Sequence, residues 1–369
     1  MPNLVRKVLL ALIVTMVSPM NIIAQQSDLI DTSLIPYWNS MIMHNESVLM
    51  VAKDDQLPSA RLLYPATKIL SVRNAALSIS YEEGIDWKFE DRKLFLLPGS
   101  AAIFMNQSDL FPCKQGNTFA GKDSGYILFH EGSFFHNKQL AVTYLHEKGI
   151  WKGPVPRYSS TILPITIGKL KKKSVFKILL YGDSIAAGYN ASAESNTAPY
   201  LPSWGDLIVE GLKRHYNGPV QFTNSSVSGK DSRWGVSNLD DRVIKYQPDL
   251  VILAFGMNDG TQQMKADTFK QNIRMMIEEV RKQNPVAEFI LVSPMLPNPL
   301  STFTGTHELF TEALSGITGK GITLADITAV HRELLKYKSY ADLTGNHINH
   351  PNDFMIRWYA QQILYTLIP

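Results

Sequence analysis

This chain of 369 residues has a single cysteine and only a small excess of positive over negative charge. Cys113 is the only cysteine, which excludes an intrachain disulfide, so stability must come from packing. A lone thiol of this kind is typical of a small buried side chain rather than of a nucleophile. Lys and Arg number 36 and Asp and Glu 33, and the resulting net charge of +3 disfavours nucleic acid as a partner.

Long apolar runs are also missing, apart from one near the start of the chain. Arg6 and Lys7 precede an apolar stretch at 8–17, and the small residue Ala24 follows it. This layout predicts a secretory signal peptide over residues 1–24 and an exported protein, periplasmic or extracellular. The stretch is shorter than the roughly 20 residues that a membrane-spanning helix needs, so we expect no stable membrane span.

Residues 25–170 contain short apolar runs separated by turn residues. Six runs have the length of strands: 48–52, 68–72, 76–81, 93–97, 126–129 and 140–145. They predict an all-β domain, a sandwich resembling a jelly roll. Its aromatic residues fit either a carbohydrate-stacking surface or a core, and the core is favoured because aromatics in strands usually face inward. These residues are Trp87, Phe89, Phe134, Phe135 and Tyr144.

Residues 171–369 alternate apolar strands with amphipathic helices. Strand-length runs lie at 175–181, 220–227, 250–255, 289–292 and 322–327. This alternation predicts an α/β domain, in which a parallel sheet is covered by helices on both faces. Ligands of such domains bind at the carboxyl ends of the strands.

Four candidate residues follow these strands or lie near the end of the chain. Ser184 comes directly after the first strand, Gly229 after the second and Asn258 after the third, while His350 precedes Pro351. A serine can act as a nucleophile and an imidazole as its base. A glycine N–H and an asparagine amide can donate to an oxyanion. Each motif by itself also fits an ordinary turn.

Taken together and in this order, the motifs resemble the SGNH (GDSL-type) hydrolase superfamily over residues 174–369. The resemblance implies a three-layer α/β/α domain that hydrolyses carboxylic esters through an acyl-serine intermediate, with no metal or organic cofactor. It implies that Ser184 is the nucleophile and His350 the general base. It also implies an oxyanion hole formed by the backbone N–H groups of Ser184 and Gly229 and by the side chain of Asn258.

One part of the family pattern is missing from this sequence. The family usually places an aspartate three residues before the catalytic histidine, and that position here is His347. Asp342, Asp353 or a backbone carbonyl remain as alternatives for orienting the His350 ring. Both histidines with these aspartates would also suggest metal ligands, but their spacing matches no standard site.

The order of the two domains adds a second, weaker resemblance. An N-terminal β domain joined to an SGNH domain in an exported chain is similar to family 2 carbohydrate esterases and other polysaccharide deacetylases. This resemblance implies an acetylated glycan as the substrate. A lipid or thioester acylhydrolase, an O-acetyltransferase and, in a different class, a carbohydrate-binding protein with an inactive site stay open as alternatives.

Overall fold

The structure, a computed structural model, describes residues 19–369, with side chains from residue 26 onward. The predicted signal peptide therefore lies mostly outside the described residues. Its predicted cleavage site after Ala24 falls within the first described helix, α1 (Pro19–Ser33). Within the described part of the chain, no helix is both long and apolar enough to cross a membrane.

The first half of the described chain is built from short strands. Four of them, in the order β1-β11-β4-β5, form an antiparallel sheet, five more form a second sheet in the order β6-β7-β3-β2-β8, and β9 pairs with β10. Both large sheets contribute to one buried apolar cluster, which confirms the predicted β-rich fold. The elements are β1 (Ile42–Leu49), β2 (Val51–Ala52), β3 (Ser59–Arg61), β4 (Ala66–Asn74), β5 (Ser80–Tyr81), β6 (Trp87–Glu90), β7 (Lys93–Leu96), β8 (Met105–Asn106), α2 (Gln107–Leu110), β9 (Thr118–Ala120), β10 (Tyr126–Leu128) and β11 (Gln139–His146).

The aromatic residues of this half mostly face its core. Trp87, Phe135 and Tyr144 are buried, and Phe89 and Phe134 are half-buried, so the core interpretation describes them better than a stacking surface. Cys113, in contrast, is exposed rather than buried. Its segment between β8 and β9 is mostly exposed and offers no core for the thiol to join.

The second half contains a five-stranded parallel sheet in the order β13-β12-β14-β15-β16. This arrangement confirms the predicted α/β fold. The strand predicted to reach residue 227 ends at Asn224, although the Val227 N–H still donates to the Gly182 carbonyl of β12 at 3.0 Å. The strands are β12 (Phe176–Gly182), β13 (Val220–Asn224), β14 (Leu250–Ala254), β15 (Glu288–Val292) and β16 (Ile322–Ala325).

Helices cover both faces of this sheet. Ile178 and Leu180 of β12 belong to one buried cluster, while Leu179 and Tyr181 belong to another, as expected when successive side chains point to opposite faces. The helices are α3 (Pro164–Lys171), α4 (Ser184–Ala187), α5 (Trp204–Tyr216), α6 (Ser232–Ser237), α7 (Leu239–Arg242), α8 (Met257–Thr261), α9 (Ala266–Gln283), α10 (Phe310–Ser315), α11 (Ile327–Leu334) and α12 (Asp353–Leu367). The boundary predicted at residues 170 and 171 falls at the end of α3 and stays a prediction.

The two halves meet through buried polar contacts. Glu46 of β1 and Lys338 have fully buried side chains, and their charged atoms lie 2.5 Å apart. Asp342 Oδ1 accepts a hydrogen bond from the Leu49 N–H at 2.7 Å. Buried charges are tolerated only when they are paired and hydrogen-bonded, so these contacts require one defined arrangement of the two halves.

Candidate active site

Ser184 lies at the carboxyl end of the central strand β12, as the first residue of α4. Asp183 caps this helix by accepting a hydrogen bond from the Ile185 N–H at 3.0 Å. The turn lies so close to β14 that a Cβ on Gly182 would be 2.2 Å from the Ala254 carbonyl oxygen. Glycine is therefore needed at 182 for the strand to turn here, which explains why this residue precedes the Asp-Ser pair.

His350 lies on a loop just before α12, and its backbone is held by neighbouring side chains. Asn346 Oδ1 accepts hydrogen bonds from three successive N–H groups, including that of His350 at 3.1 Å. Thr344 Oγ1 donates to the His350 carbonyl at 2.7 Å. In this position the imidazole Nε2 lies 2.9 Å from Ser184 Oγ. The structure thus brings together two side chains that are 166 residues apart.

The contacts of the other imidazole nitrogen, Nδ1, determine the tautomer of His350. Nδ1 lies 2.8 Å from Asn190 Oδ1 and 3.2 Å from Glu131 Oε2. The Asn190 amide is oriented by its Nδ2, which donates to the carbonyls of Gly132 and Gly345. Because Nδ1 faces two acceptors, it carries the proton, and Nε2 is left to accept from the serine hydroxyl.

Neither aspartate considered from the sequence orients this ring. Asp342 accepts hydrogen bonds from the backbone N–H groups of Leu49 and Ser339. Asp353 accepts from the Ser192 N–H at 2.9 Å. Both carboxylates therefore accept hydrogen bonds from backbone N–H groups and not from the imidazole. The acceptors at His350 Nδ1 are side-chain oxygens, so the alternative of a backbone carbonyl does not describe the site either.

The His347 side chain lies in the contact between the two halves. Its Nδ1 donates to the Leu128 carbonyl at 3.2 Å, and its ring packs near Phe111 and Phe135. Burial lowers the pKa of His347 to about 4, although the hydrogen bond to Leu128 acts in the opposite direction. His347 is therefore a neutral interior residue at the position where the family has its aspartate.

The two residues predicted to complete the oxyanion hole follow β13 and β14, the neighbours of the strand that ends at the Ser184 turn. Gly229 follows β13 and has a φ of 74°, which glycine adopts without strain. Asn258 is in α8, and its Nδ2 donates to the Lys230 carbonyl at 2.9 Å, next to Gly229. Asp183 Oδ2 accepts from the Met257 N–H at 3.3 Å, which joins α8 to the serine turn. All four predicted residues thus lie in neighbouring loops or at the starts of short helices, while their catalytic roles stay a prediction.

Two buried carboxyl groups lie beneath these loops. Burial raises the pKa of Asp183 to about 7, against the opposing effect of its backbone hydrogen bond to Ile185. Burial also raises the pKa of Asp259 to about 6, against hydrogen bonds from the hydroxyl and N–H of Ser232. Both groups connect backbone segments of the site, and their environment favours the neutral form over the charged one.

A cavity of about 330 Å³ opens beside the imidazole. It is lined by Glu131, Gly132, Tyr189, Asn190, Glu194 and Ser195. The Tyr189 ring lies 5.5 Å from the His350 ring, and Tyr189 is 44% exposed. Among the described residues, no group of three or more His, Cys, Asp or Glu side chains is arranged to hold a metal ion.

Glu131 and Asn190 are the two residues of this site that the sequence motifs do not predict. Asn190 stands in the loop after α4, where the only signal is its short distance along the chain from Ser184. Glu131 belongs to the β-rich half and lies 219 residues from His350 along the chain. No local pattern marks it as a partner of the histidine.

The fold and the arrangement of these loops are those of a three-layer α/β/α protein of the SGNH type. Residues 180–355 match the model of the GDSL-like lipase/acylhydrolase family. An arylesterase from Vibrio mimicus is 30% identical over 105 residues, which are 28% of this chain and 48% of that protein. Thioesterase 1/protease 1/lysophospholipase L1 of Escherichia coli K12 is 28% identical over 120 residues, which are 32% of this chain and 51% of that protein. The chain thus spans about half the length of the curated relatives it matches.

Solved structures also show similarity to this chain. A two-domain esterase active on acetylated mannans is 19% identical, with a TM-score of 0.47, over 58% of this chain and 54% of that one. An acetylxylan esterase from Geobacillus stearothermophilus is 19% identical, with a TM-score of 0.42, over 53% of this chain and 94% of that one.

Proposed function

We propose that this protein is an exported serine esterase that removes O-acetyl groups from a polysaccharide or oligosaccharide. The observation that carries the proposal is the contact of 2.9 Å between Ser184 Oγ and His350 Nε2, with the opposite ring nitrogen held by hydrogen-bond acceptors. A nucleophile within hydrogen-bond reach of a base that is itself oriented is the arrangement required for covalent catalysis.

In the proposed reaction, Ser184 Oγ attacks the ester carbonyl carbon while its proton passes to His350 Nε2. The backbone N–H groups of Ser184 and Gly229 and the Asn258 amide donate to the oxyanion that forms. The imidazolium then returns the proton to the departing sugar oxygen as the ester bond breaks, which leaves an acetyl-serine. Water repeats the sequence, releases acetate and restores the hydroxyl.

The lining of the cavity beside His350 favours a substrate in which a small acyl group is attached to a polar molecule. Its lining combines carboxylates, amide and hydroxyl groups with the half-exposed ring of Tyr189. Sugars present hydroxyl groups to polar side chains and C–H faces to aromatic rings. Four of the six lining residues carry carboxylate, amide or aliphatic hydroxyl groups, which favours a sugar ester over an ester of a long acyl chain.

Acetate release from a panel of acetylated polysaccharides tests the proposal. We expect Ser184→Ala to lower kcat by about 10⁴-fold or more, because the nucleophile is lost while the fold is kept. Ser159→Ala is the matched control, since Ser159 is also buried and its hydroxyl donates to the Arg157 carbonyl at 3.0 Å, outside the site. Full activity of folded Ser184→Ala would show that the proposal is wrong.

A lipid or thioester acylhydrolase is the second candidate, because the curated relatives carry arylesterase, thioesterase and lysophospholipase activities in their names. A series of aryl esters of increasing acyl length separates the two candidates. A deacetylase loses kcat/KM steeply beyond acetate, whereas an acylhydrolase gains it. Acetyl transfer to sugar that is faster than hydrolysis would indicate the O-acetyltransferase, and glycan binding without ester cleavage would indicate a binding protein.

A further inference from the structure

A segment of the β-rich half, residues 128–136, lies directly on the loops of the candidate active site. Besides the contacts of Glu131 itself, it makes three hydrogen bonds to them: His347 Nδ1 to the Leu128 carbonyl at 3.2 Å, Asn190 Nδ2 to the Gly132 carbonyl at 2.9 Å, and His136 Nε2 to the Ala198 carbonyl at 2.7 Å. These contacts lie on both sides of Glu131 along the chain. The backbone that carries Glu131 is therefore held against the site.

Both oxygens of the Glu131 carboxylate contact the histidine loop. Oε2 lies 3.2 Å from His350 Nδ1, and Oε1 accepts from Asn346 Nδ2 at 3.1 Å. Asn346 in turn accepts the N–H of His350 through its Oδ1. The carboxylate, the asparagine and the histidine thus form a closed set of hydrogen bonds, which limits the positions that the carboxylate can take.

Asn190 and Glu131 have different effects on the imidazole ring of His350. The Asn190 amide is neutral, so it orients the imidazole and keeps the proton on Nδ1 without adding charge. Glu131 adds a negative charge. Partial burial raises the pKa of Glu131, but hydrogen bonds with His350 and Asn346 and the charge of His350 outweigh this and lower it. The Glu131 carboxylate is therefore ionised at neutral pH.

Other titratable groups near the His350 ring do not accept a hydrogen bond from its Nδ1. Asp183 is close enough to interact with His350 through its charge, but its two oxygens accept hydrogen bonds from the N–H groups of Ile185 and Met257. Tyr189 contacts the imidazole through its ring. Among the described residues, Glu131 is the carboxylate that hydrogen-bonds the imidazole directly.

We infer that Glu131, supplied by the β-rich half, is the positioning carboxylate of His350 and fills the role of the family aspartate that His347 replaces. The inference rests on the proposed function. When Nε2 takes the serine proton, the Nδ1–H bond to Oε2 becomes charge-assisted and stabilises the imidazolium. When Nε2 returns the proton to the leaving alcohol, the ring becomes neutral again and Glu131 has stayed ionised throughout. The active site is therefore complete only when both halves are docked.

Glu131→Gln tests this role in the full chain, with an aryl acetate ester as the substrate. We expect kcat to fall about tenfold with KM changed less than about twofold, because the charge acts on the imidazolium rather than on substrate binding. The loss is smaller than for a buried triad aspartate, since the Glu131 side chain is 44% exposed and Asn190 remains. Without the negative charge the protonated ring is less favoured, so the acidic limb of the kcat/KM profile moves to lower pH.

Two comparisons separate a charge effect from a structural one. Glu131→Asp keeps the charge, so its acidic limb should stay near that of the wild type even if kcat falls. Glu90→Gln is the matched control, because Glu90 belongs to the same half, is 58% exposed and pairs with Lys88 far from the site. We expect Glu90→Gln to keep the wild-type kcat and pH profile. High salt should narrow the difference between the wild type and Glu131→Gln, since an exposed charge is screened.

The outcomes distinguish the inference from the proposed function. If Glu131→Gln keeps the wild-type kcat and acidic limb while Ser184→Ala is inactive, the inference is wrong and the proposed function stands. Equal losses in Glu131→Asp and Glu131→Gln with an unmoved acidic limb would show a purely structural role and would also overturn it. Activity of Ser184→Ala would instead overturn the proposed function itself.

Discussion

Strands β14 and β15 of the parallel sheet and strand β4 of the β-rich half differ in how they are buried. Strands β14 and β15 are buried at every position, because helices cover both faces of the parallel sheet. Strand β4 of the β-rich half has a single buried residue, Val72, among nine. Ser184 and Asn258 therefore follow strands that are buried inside the parallel-sheet half. The β-rich half contributes one docked segment, residues 128–136, through hydrogen bonds.

The residues of the candidate active site are therefore positioned in two different ways. Ser184 and Asn258 are positioned by strand ends whose burial is continuous, so their placement follows from the core of one half. Glu131 is positioned by docking, which depends on contacts between halves such as the Glu46–Lys338 pair. Substitutions in the first set should affect chemistry alone, and substitutions in the second should couple stability to chemistry.

The largest expected effect contrasts the two histidines of the 347–350 loop. His350→Ala should lower kcat by about 10⁴-fold, because the ring lies within hydrogen-bond reach of the serine hydroxyl and is its proposed base. His347→Ala should keep most of kcat but lower the free energy of unfolding by about 2–4 kcal/mol, because a buried ring near Phe111 and Phe135 is removed. Steady-state kinetics and thermal unfolding measure both effects. A loss of kcat in His347→Ala as deep as in His350→Ala would refute this division of roles.

The second effect concerns the docking of the halves. Lys338→Met should lower the free energy of unfolding by about 3–5 kcal/mol, because Glu46 would be left buried without its cation. Urea unfolding measures the change. Lys88→Met is the control, since it breaks the exposed pair with Glu90 and should change stability by about 0.5 kcal/mol or less. A similar small change in both variants would show that the buried pair does not hold the halves together.

The smallest effect concerns two carboxyl groups with opposite pKa shifts. Burial raises the pKa of Asp183 to about 7, so its stabilising contribution is complete below about pH 4 and is lost as the pH rises through 7. Relative to Asp183→Asn, the wild type should lose up to roughly 4 kcal/mol of unfolding free energy between pH 4 and pH 8. Urea unfolding of both proteins at several pH values measures this difference, and a difference that is constant with pH would contradict it.

Asp86 of the β-rich half provides the opposite case for the same measurement. Hydrogen bonds from the N–H groups of Glu82 and Ala101 lower the pKa of Asp86, against the small effect of burial. Its contribution is therefore present at neutral pH and is lost as the pH falls through its lowered pKa. Asp86→Asn should cost more stability at pH 7 than at low pH, the reverse of the trend for Asp183→Asn.

Much of the parallel-sheet half can be predicted from the sequence because its signals are local. Apolar runs of strand length, the first three followed by motifs that contain glycine, serine or asparagine, indicate both the sheet and the edge at which the site forms. The β-rich half is predicted less completely. Four strands of two to four residues escape prediction because they carry too few apolar residues to show a period: β3, β6, β8 and β9.

Sequence patterns predict the two fold classes, which the structure confirms, and they predict the candidate residues Ser184, Gly229, Asn258 and His350, since each stands in a short motif whose meaning depends on its immediate neighbours. The acceptors at His350 Nδ1, Asn190 and Glu131, can be identified only from the folded structure. Glu131 and His350 are 219 residues apart, and no pattern along the chain encodes a contact made by docking one half on the other. The physical reason is that strand and turn preferences act over a few residues, whereas an interface is specified by the packing of the whole fold.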